Sequence, residues 1–222
     1  MLDSLASPSP RRSFLQRLAA GTAAFLATGG TAAAAESSRH GLAAPDDPLF
    51  ARIKGKHRQV FDVTAPNDGW GPVFALTWIA TTKEALGVPD SDISAVIVLR
   101  HFAMPLALND QIWAKYHIGE LINVTDPKTK TTAVRNVFHE NLPLNPGLTY
   151  QKLAANPSVV LLACNKALTV LSGMAGQRIG VSADQAKREW TAGLIPGISP
   201  VASGVYGVHR AQMAGCTYCQ GG

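Results

Sequence analysis

Three cysteines carry the most reactive chemistry in this chain: Cys164, Cys216 and Cys219. Cys164 closes the run Val159-Val160-Leu161-Leu162-Ala163, and Lys166-Ala167-Leu168-Thr169-Val170-Leu171 then takes up a helical pattern. Four large apolar residues, half of them β-branched, following the turn pair Asn156-Pro157 predict a parallel strand covered on both faces. A cysteine at its end sits where open α/β sheets hold ligands, at the carboxyl ends of the strands. With Asn165 as helix cap, unpaired backbone N–H groups lie close to the sulfur and favour the thiolate, the nucleophilic form. The competing reading is packing alone, since an unpaired cysteine is among the most buried residue types. Arg100 and His101 end another apolar run, Ile93–Leu99, which puts a cation and an imidazole at the same sheet edge. His139, in a long loop, could fold over that edge; His57 begins a strand and belongs to the opposite end.

Cys216-Thr217-Tyr218-Cys219 is a C-x-x-C pair near the chain end. Such pairs serve redox exchange at a helix N-terminus or supply two metal ligands. This one follows a helix instead of opening one, which argues against a thioredoxin-type site. No histidine follows Cys219, so haem attachment is excluded. His209 would be a third metal ligand, but no fourth is evident, and no metal is expected. A local Cys216–Cys219 disulfide, an ordinary tail, or exchange of either sulfur with Cys164 as a resolving partner all remain open. Gly193, Gly197, Gly204 and Gly207 form no phosphate loop or dinucleotide fingerprint, so no cofactor is implied. There is no Ser-His-Asp or paired-carboxylate arrangement.

The elements that position these residues follow from periodicity. His57–Val63 reads as a first strand and 70–86 as a helix apolar all round, either deeply buried or part of a subunit interface, ended by Gly87-Val88-Pro89. Ile93–Leu99 is a second buried strand. A helix beyond Pro105, capped by Asn109 or Asp110, puts Ile112, Trp113, Tyr116 and Leu121 on one face. Residues 124–150 read as an inserted loop, with 131–138 as one arm of a hairpin; its length suits a lid, an interface arm or a mobile segment. A short helix at 150–156 precedes the Cys164 strand. Ser182-Ala183-Asp184-Gln185 is a capping box. Pro200 marks 198–202 as an edge strand, and Ser203 or Gly204 opens a last helix. Strands alternating with long crossovers predict a three-layer α/β/α sandwich around a mostly parallel sheet of about five strands.

The 222 residues, 46% hydrophobic and 16% charged, suit one such domain at 57–222. Residues 1–35 read as a twin-arginine signal peptide: Arg11-Arg12-Ser13-Phe14-Leu15, a mild apolar run, and Ala33-Ala34-Ala35 before Glu36. That predicts export by the twin-arginine translocase to the periplasm or beyond, where thiols meet oxidising conditions. The apolar run is too short for a stable membrane anchor. Residues 36–56 read as an arm or linker. Loss of the leader lowers the formal charge from +5 to +3. No basic cluster is interleaved with aromatics, so nucleic acid is not an expected partner.

The order of parts resembles the DsrE/DsrF-like family of small α/β sulfur-relay-type proteins. The resemblance rests on Val159-Val160-Leu161-Leu162-Ala163-Cys164-Asn165, then Pro196-Gly197-Ile198 through Ser203-Gly204-Val205, then Gln212 through Tyr218. It spans roughly 57–218, with Asn165 where the family usually has glycine. It implies a homo-oligomer, a persulfide on Cys164, and a sulfur donor or acceptor protein as partner. The expected function is an exported thiol-dependent sulfur carrier or redox protein using Cys164 and His101, with Arg100, Asn165, Ser203 and Gly204 around the ligand and Cys216 or Cys219 as resolving thiols. The alternative is a non-catalytic oligomeric module that binds a small ligand at the strand ends or between subunits.

Overall fold

Two long apolar runs become central strands because both of their faces are covered. A computed structural model describes residues 47–139, 142–145 and 147–222; the expected leader, 1–35, and the first part of the expected arm lie outside these. The strands are β1 (His57–Val63), β2 (Ile93–Leu99), β3 (Val159–Cys164), β4 (Ser199–Val201) and β5 (Thr217–Gln220). They form one parallel sheet in the order β4-β3-β2-β1-β5. Every residue of β2 and β3 is buried. Side chains alternate across the pleat: Phe61, Val63, Ile97, Leu99, Leu161 and Ala163 enter one core, while Val60, Val96, Val98, Val160 and Leu162 enter the other.

The helices are α1 (Asp47–Phe50), α2 (Trp70–Leu86), α3 (Asp110–Lys115), α4 (Ile118–Leu121), α5 (Tyr150–Ala154), α6 (Asn165–Arg178), α7 (Ala183–Ala192) and α8 (Gly204–Met213). The crossovers from β1 to β4 run through α2 to α7, whose buried residues join the first core. The chain then reverses direction across the sheet. A right-handed crossover in the reverse direction must use the opposite face. Accordingly α8, with Ala211 buried, lies in the second core beside Phe50 and Ile53. Those last two residues belong to the expected arm and are packed, and Arg52 donates to the Val159 carbonyl at 3.2 Å.

The helix expected at 70–86 matches α2 in extent, but only one side is buried, through Val73, Ala75 and Ile79. Phe74 and Leu86 are exposed, and Trp70 stacks on Phe74 at 6.2 Å. The single helix expected beyond Pro105 is divided. A 3₁₀ turn covers His101–Ala107, Asn109 caps α3 by accepting from Ile112 N at 3.0 Å, and His117, in the left-handed region at φ 50°, separates α3 from α4.

The hairpin arm expected at 131–138 is limited to its first residues: one antiparallel bridge joins Thr125 to Thr132, flanked by Asp126 N to Thr131 O at 2.8 Å and Ala133 N to Val124 O at 2.9 Å. The long loop is otherwise pinned. Asn136 is fully buried and donates to the Leu106 and Leu108 carbonyls at 3.0 and 2.7 Å. Ala133, Phe138 and Leu142 are buried with the first core. The loop backbone passes so close to Gly119 that a Cβ there would overlap the Ala133 carbonyl. Among the described residues, no helix is long and apolar enough to cross a membrane.

Candidate functional site

Register brings the chemistry together. Leu99 pairs with Ala163, and Cys164 pairs with Val201, so Arg100, Cys164 and the residues after Val201 emerge in one row at the carboxyl edge. At this point the connection from β3 goes to α6 on one face, and that from β4 goes to α8 on the other. Such divergence opens a crevice at the switch point of a parallel sheet. The crevice here is a cavity of about 570 Å³. Its polar lining comes from Arg100, His101, Cys164, Lys166 and Ser203, and no Asp or Glu lines it. Its apolar wall includes Phe102, Val170, Leu171, Met174 and Val205.

Cys164 itself caps α6: its Sγ accepts the Ala167 N–H at 3.3 Å. This corrects the cap expected at Asn165, which opens α6 but is not among the lining residues. The difference arises because the last strand residue retains extended geometry, φ −72° and ψ 108°, and so holds the N-cap position. Ser203 caps α8 in the same way, accepting from Tyr206 N at 3.3 Å. Two helix N-termini, each the positive end of a peptide dipole array, therefore border one cavity.

Arg100 is anchored from below. Its Nε and Nη2 donate to the two carboxylate oxygens of Asp62 at 2.6 and 2.8 Å, and Tyr218 Oη donates to the same carboxylate at 3.1 Å. Asp62 is buried, at 4% exposure. Hydrogen bonding to Asp62 raises the already high pKa of Arg100, with a smaller contribution from the nearby Cys164. Burial, and then the Asp62 carboxylate, raise that of Tyr218. The Arg100 side chain runs directly over Gly204, where a Cβ would overlap Arg100 Cβ and lie 2.7 Å from Cδ. His101 sits exposed at the rim with φ 52°, its ring edge-on to Phe102 at 4.4 Å.

The fold thus collects Arg100, His101, Cys164, Ser203 and Gly204, and leaves the other candidates elsewhere. His139 lies 3.8 Å from Asp110 at the start of α3. His57 is at the amino end of β1. The C-x-x-C pair runs into an extended edge strand, β5, with Cys219 opposite Phe61. Cys216 packs in the second core and Cys219 against the first, on opposite faces of the sheet. Three extended residues span about 10 Å, whereas a disulfide needs Cα atoms within about 7 Å, so the local bridge is ruled out in this fold. All three cysteines are free. Thr217 is level with Gln59, Ala95 and Val159. Cys216 is therefore roughly 20 Å below Cys164 along the strands, and both Cys216 and Cys219 are about 14 Å away across them. Neither is a resolving thiol for Cys164 within one chain. No group of three or more potential metal-ligating side chains occurs among the described residues.

Asp62, Tyr218 and Lys166 were missed from sequence. A charge inside Val60-Phe61-Asp62-Val63 was the available signal, since a buried carboxylate demands a partner. No family model, curated protein or solved structure matches this chain. Fold and cavity together define a class: a parallel α/β protein with a cysteine pocket at the switch point of its sheet.

Proposed function

We propose that this protein is an exported thiol-dependent sulfur carrier of the DsrE/DsrF-like kind, working as a homo-oligomer, with Cys164 as the sulfur site. The observation that carries the reading is the Ala167 N–H donated to Cys164 Sγ inside the switch-point cavity. The donated N–H and the N-terminus of α6 both point at the sulfur. Thiolate attack on a sulfane sulfur then gives a Cys164 persulfide, and the released thiolate leaves with the electron pair. Carriage through one cysteine fits better than dithiol exchange, because Cys216 and Cys219 lie on distant parts of the sheet. His101, at the rim, is a candidate to hand over or accept a proton. Export by the twin-arginine route rests on the sequence of residues 1–35.

Treating reduced protein with an organic persulfide, followed by peptide mapping, tests this. One added sulfur on Cys164 is expected. Failure of Cys164 both to gain sulfur and to alkylate near neutral pH would sink the proposal. The apolar wall of the cavity favours one second reading, a non-catalytic module that holds a small ligand at the strand ends. Under it, ligand binding survives Cys164→Ala.

A further inference from the structure

We infer that the Cys164 cavity selects an organic sulfur compound with an apolar body and an anionic end, in preference to inorganic sulfide or a polar, cationic thiol. This rests on the reading of Cys164 as a sulfur site and names the substrate class. Size and lining carry the first half. About 570 Å³ is far more than one sulfur atom needs, and falls within the range of small-molecule pockets. The apolar part of the wall is made by Phe102, Val170, Leu171, Met174 and Val205. Four of these remain exposed at 41–64%, leaving an apolar surface for an occupant to cover: Phe102 41%, Met174 47%, Val170 60% and Val205 64%. A carrier for inorganic sulfide has no use for such a wall.

Charge carries the second half. Arg100 is neutralised by Asp62, but the exposed Lys166 stands at the cavity with no carboxylate in the lining. The N-termini of α6 and α8 add positive potential at the same place. An anion on the ligand is therefore attracted, and a cation is repelled.

The step balances without an outside oxidant. Cys164 thiolate attacks the terminal sulfur of R–S–SH, a new S–S bond forms, the old S–S bond breaks, and R–S⁻ leaves. The proton stays on the transferred sulfur, giving Cys164–S–SH. Here R is the apolar, anionic body held by the wall and by Lys166.

Methanethiosulfonates of the form CH₃SO₂–S–R test the selection, because the thiolate always displaces the same methanesulfinate while R varies. Rates on Cys164 of the reduced full chain are read by peptide mapping. From ethyl to hexyl R, the rate should rise about fourfold per methylene, given roughly 0.8 kcal/mol per buried CH₂. A carboxylate-ended reagent should outpace its trimethylammonium counterpart roughly tenfold, and Lys166→Glu should reduce that ratio severalfold. Val170→Asp should flatten the chain-length series. Cys164 labelled at one rate by all reagents would overturn the selection and leave the sulfur site standing. Cys164 inert even to the methyl reagent would overturn both. An oligomer by light scattering that Val205→Glu dissociates would assign the apolar rim to a second copy, and would likewise overturn the selection.

Discussion

Cys164 and Cys216 are equally buried, each 6% exposed, yet their surroundings give them different chemistry. Cys216 sits among Val60, Ala211 and other apolar groups, and burial pushes its thiol up to about 11, with Arg58 only partly opposing. Cys164 accepts a backbone N–H, faces Arg100 and lines a cavity. Burial alone makes a cysteine a small apolar side chain. Burial together with donors and an entry path makes it a site. The contrast arises from backbone: one cysteine precedes an edge strand, and the other closes a central strand and starts a helix.

The largest way to disturb the contrast is to remove the support beneath Arg100. Asp62→Ala leaves a partly buried guanidinium without its bidentate partner, and should cost about 3 kcal/mol in urea unfolding. With the neutralising carboxylate gone, the Arg100 charge acts on Cys164 unopposed, so the alkylation rate of Cys164 should rise relative to that of Cys219. Gly204→Ala comes next. The added Cβ overlaps Arg100 and must displace it, with an expected loss of about 2 kcal/mol. If Gly204→Ala is as stable as wild type, the close packing of α8 on Arg100 is not as described.

A smaller effect is pH-dependent. The Cys216 thiol is raised above its ordinary value of 9.0, so the folded state holds that proton more tightly than the unfolded chain does. The resulting stability is fully present below pH 9 and is lost as pH rises through about 11. Tyr116 and Tyr150, also raised by burial, add to the same alkaline loss. Cys216→Ala should therefore reduce the slope of stability against pH between 9 and 11, measured by urea melts, without abolishing it. Smallest of all, Cys219→Ser should change stability by less than about 0.5 kcal/mol. Mild oxidation should yield no Cys216–Cys219 bridge in peptide maps.

These comparisons also mark what the sequence makes legible. The long helix α2 could be bounded because Gly69 and Gly87 take up left-handed φ of 83° and 64° at its ends. The strands β2 and β3 are plain as apolar runs because both faces are covered. The expected capping box forms by half: Ser182 Oγ accepts from Gln185 N at 3.3 Å, but the Gln185 side chain donates to Glu189 at 3.0 Å instead of turning back to Ser182. The common edge of Arg100 and Cys164 follows from parallel register once both strand ends are known. The break at His117 and the pinned loop were not legible, because both depend on contacts remote in sequence, such as Asn136 with Leu106. Strand β5 was hidden by its exposed side chains: an edge strand pairs through backbone on one side only and needs no apolar run. The Asp62–Arg100 pair joins residues 38 positions apart, and no local pattern announces it. C-x-x-C misled because the motif describes spacing, whereas its chemistry depends on whether the backbone coils or extends.

Site-resolved alkylation at neutral pH tests the central claim most directly. Reduced protein is treated with a limiting amount of a small iodoacetamide, and each cysteine is followed by peptide mapping. Cys164 should label first, ahead of the more exposed Cys219, with Cys216 slowest. Cys219 labelling first while Cys164 stays unmodified would show that the switch-point cysteine is only packed, and would contradict the account.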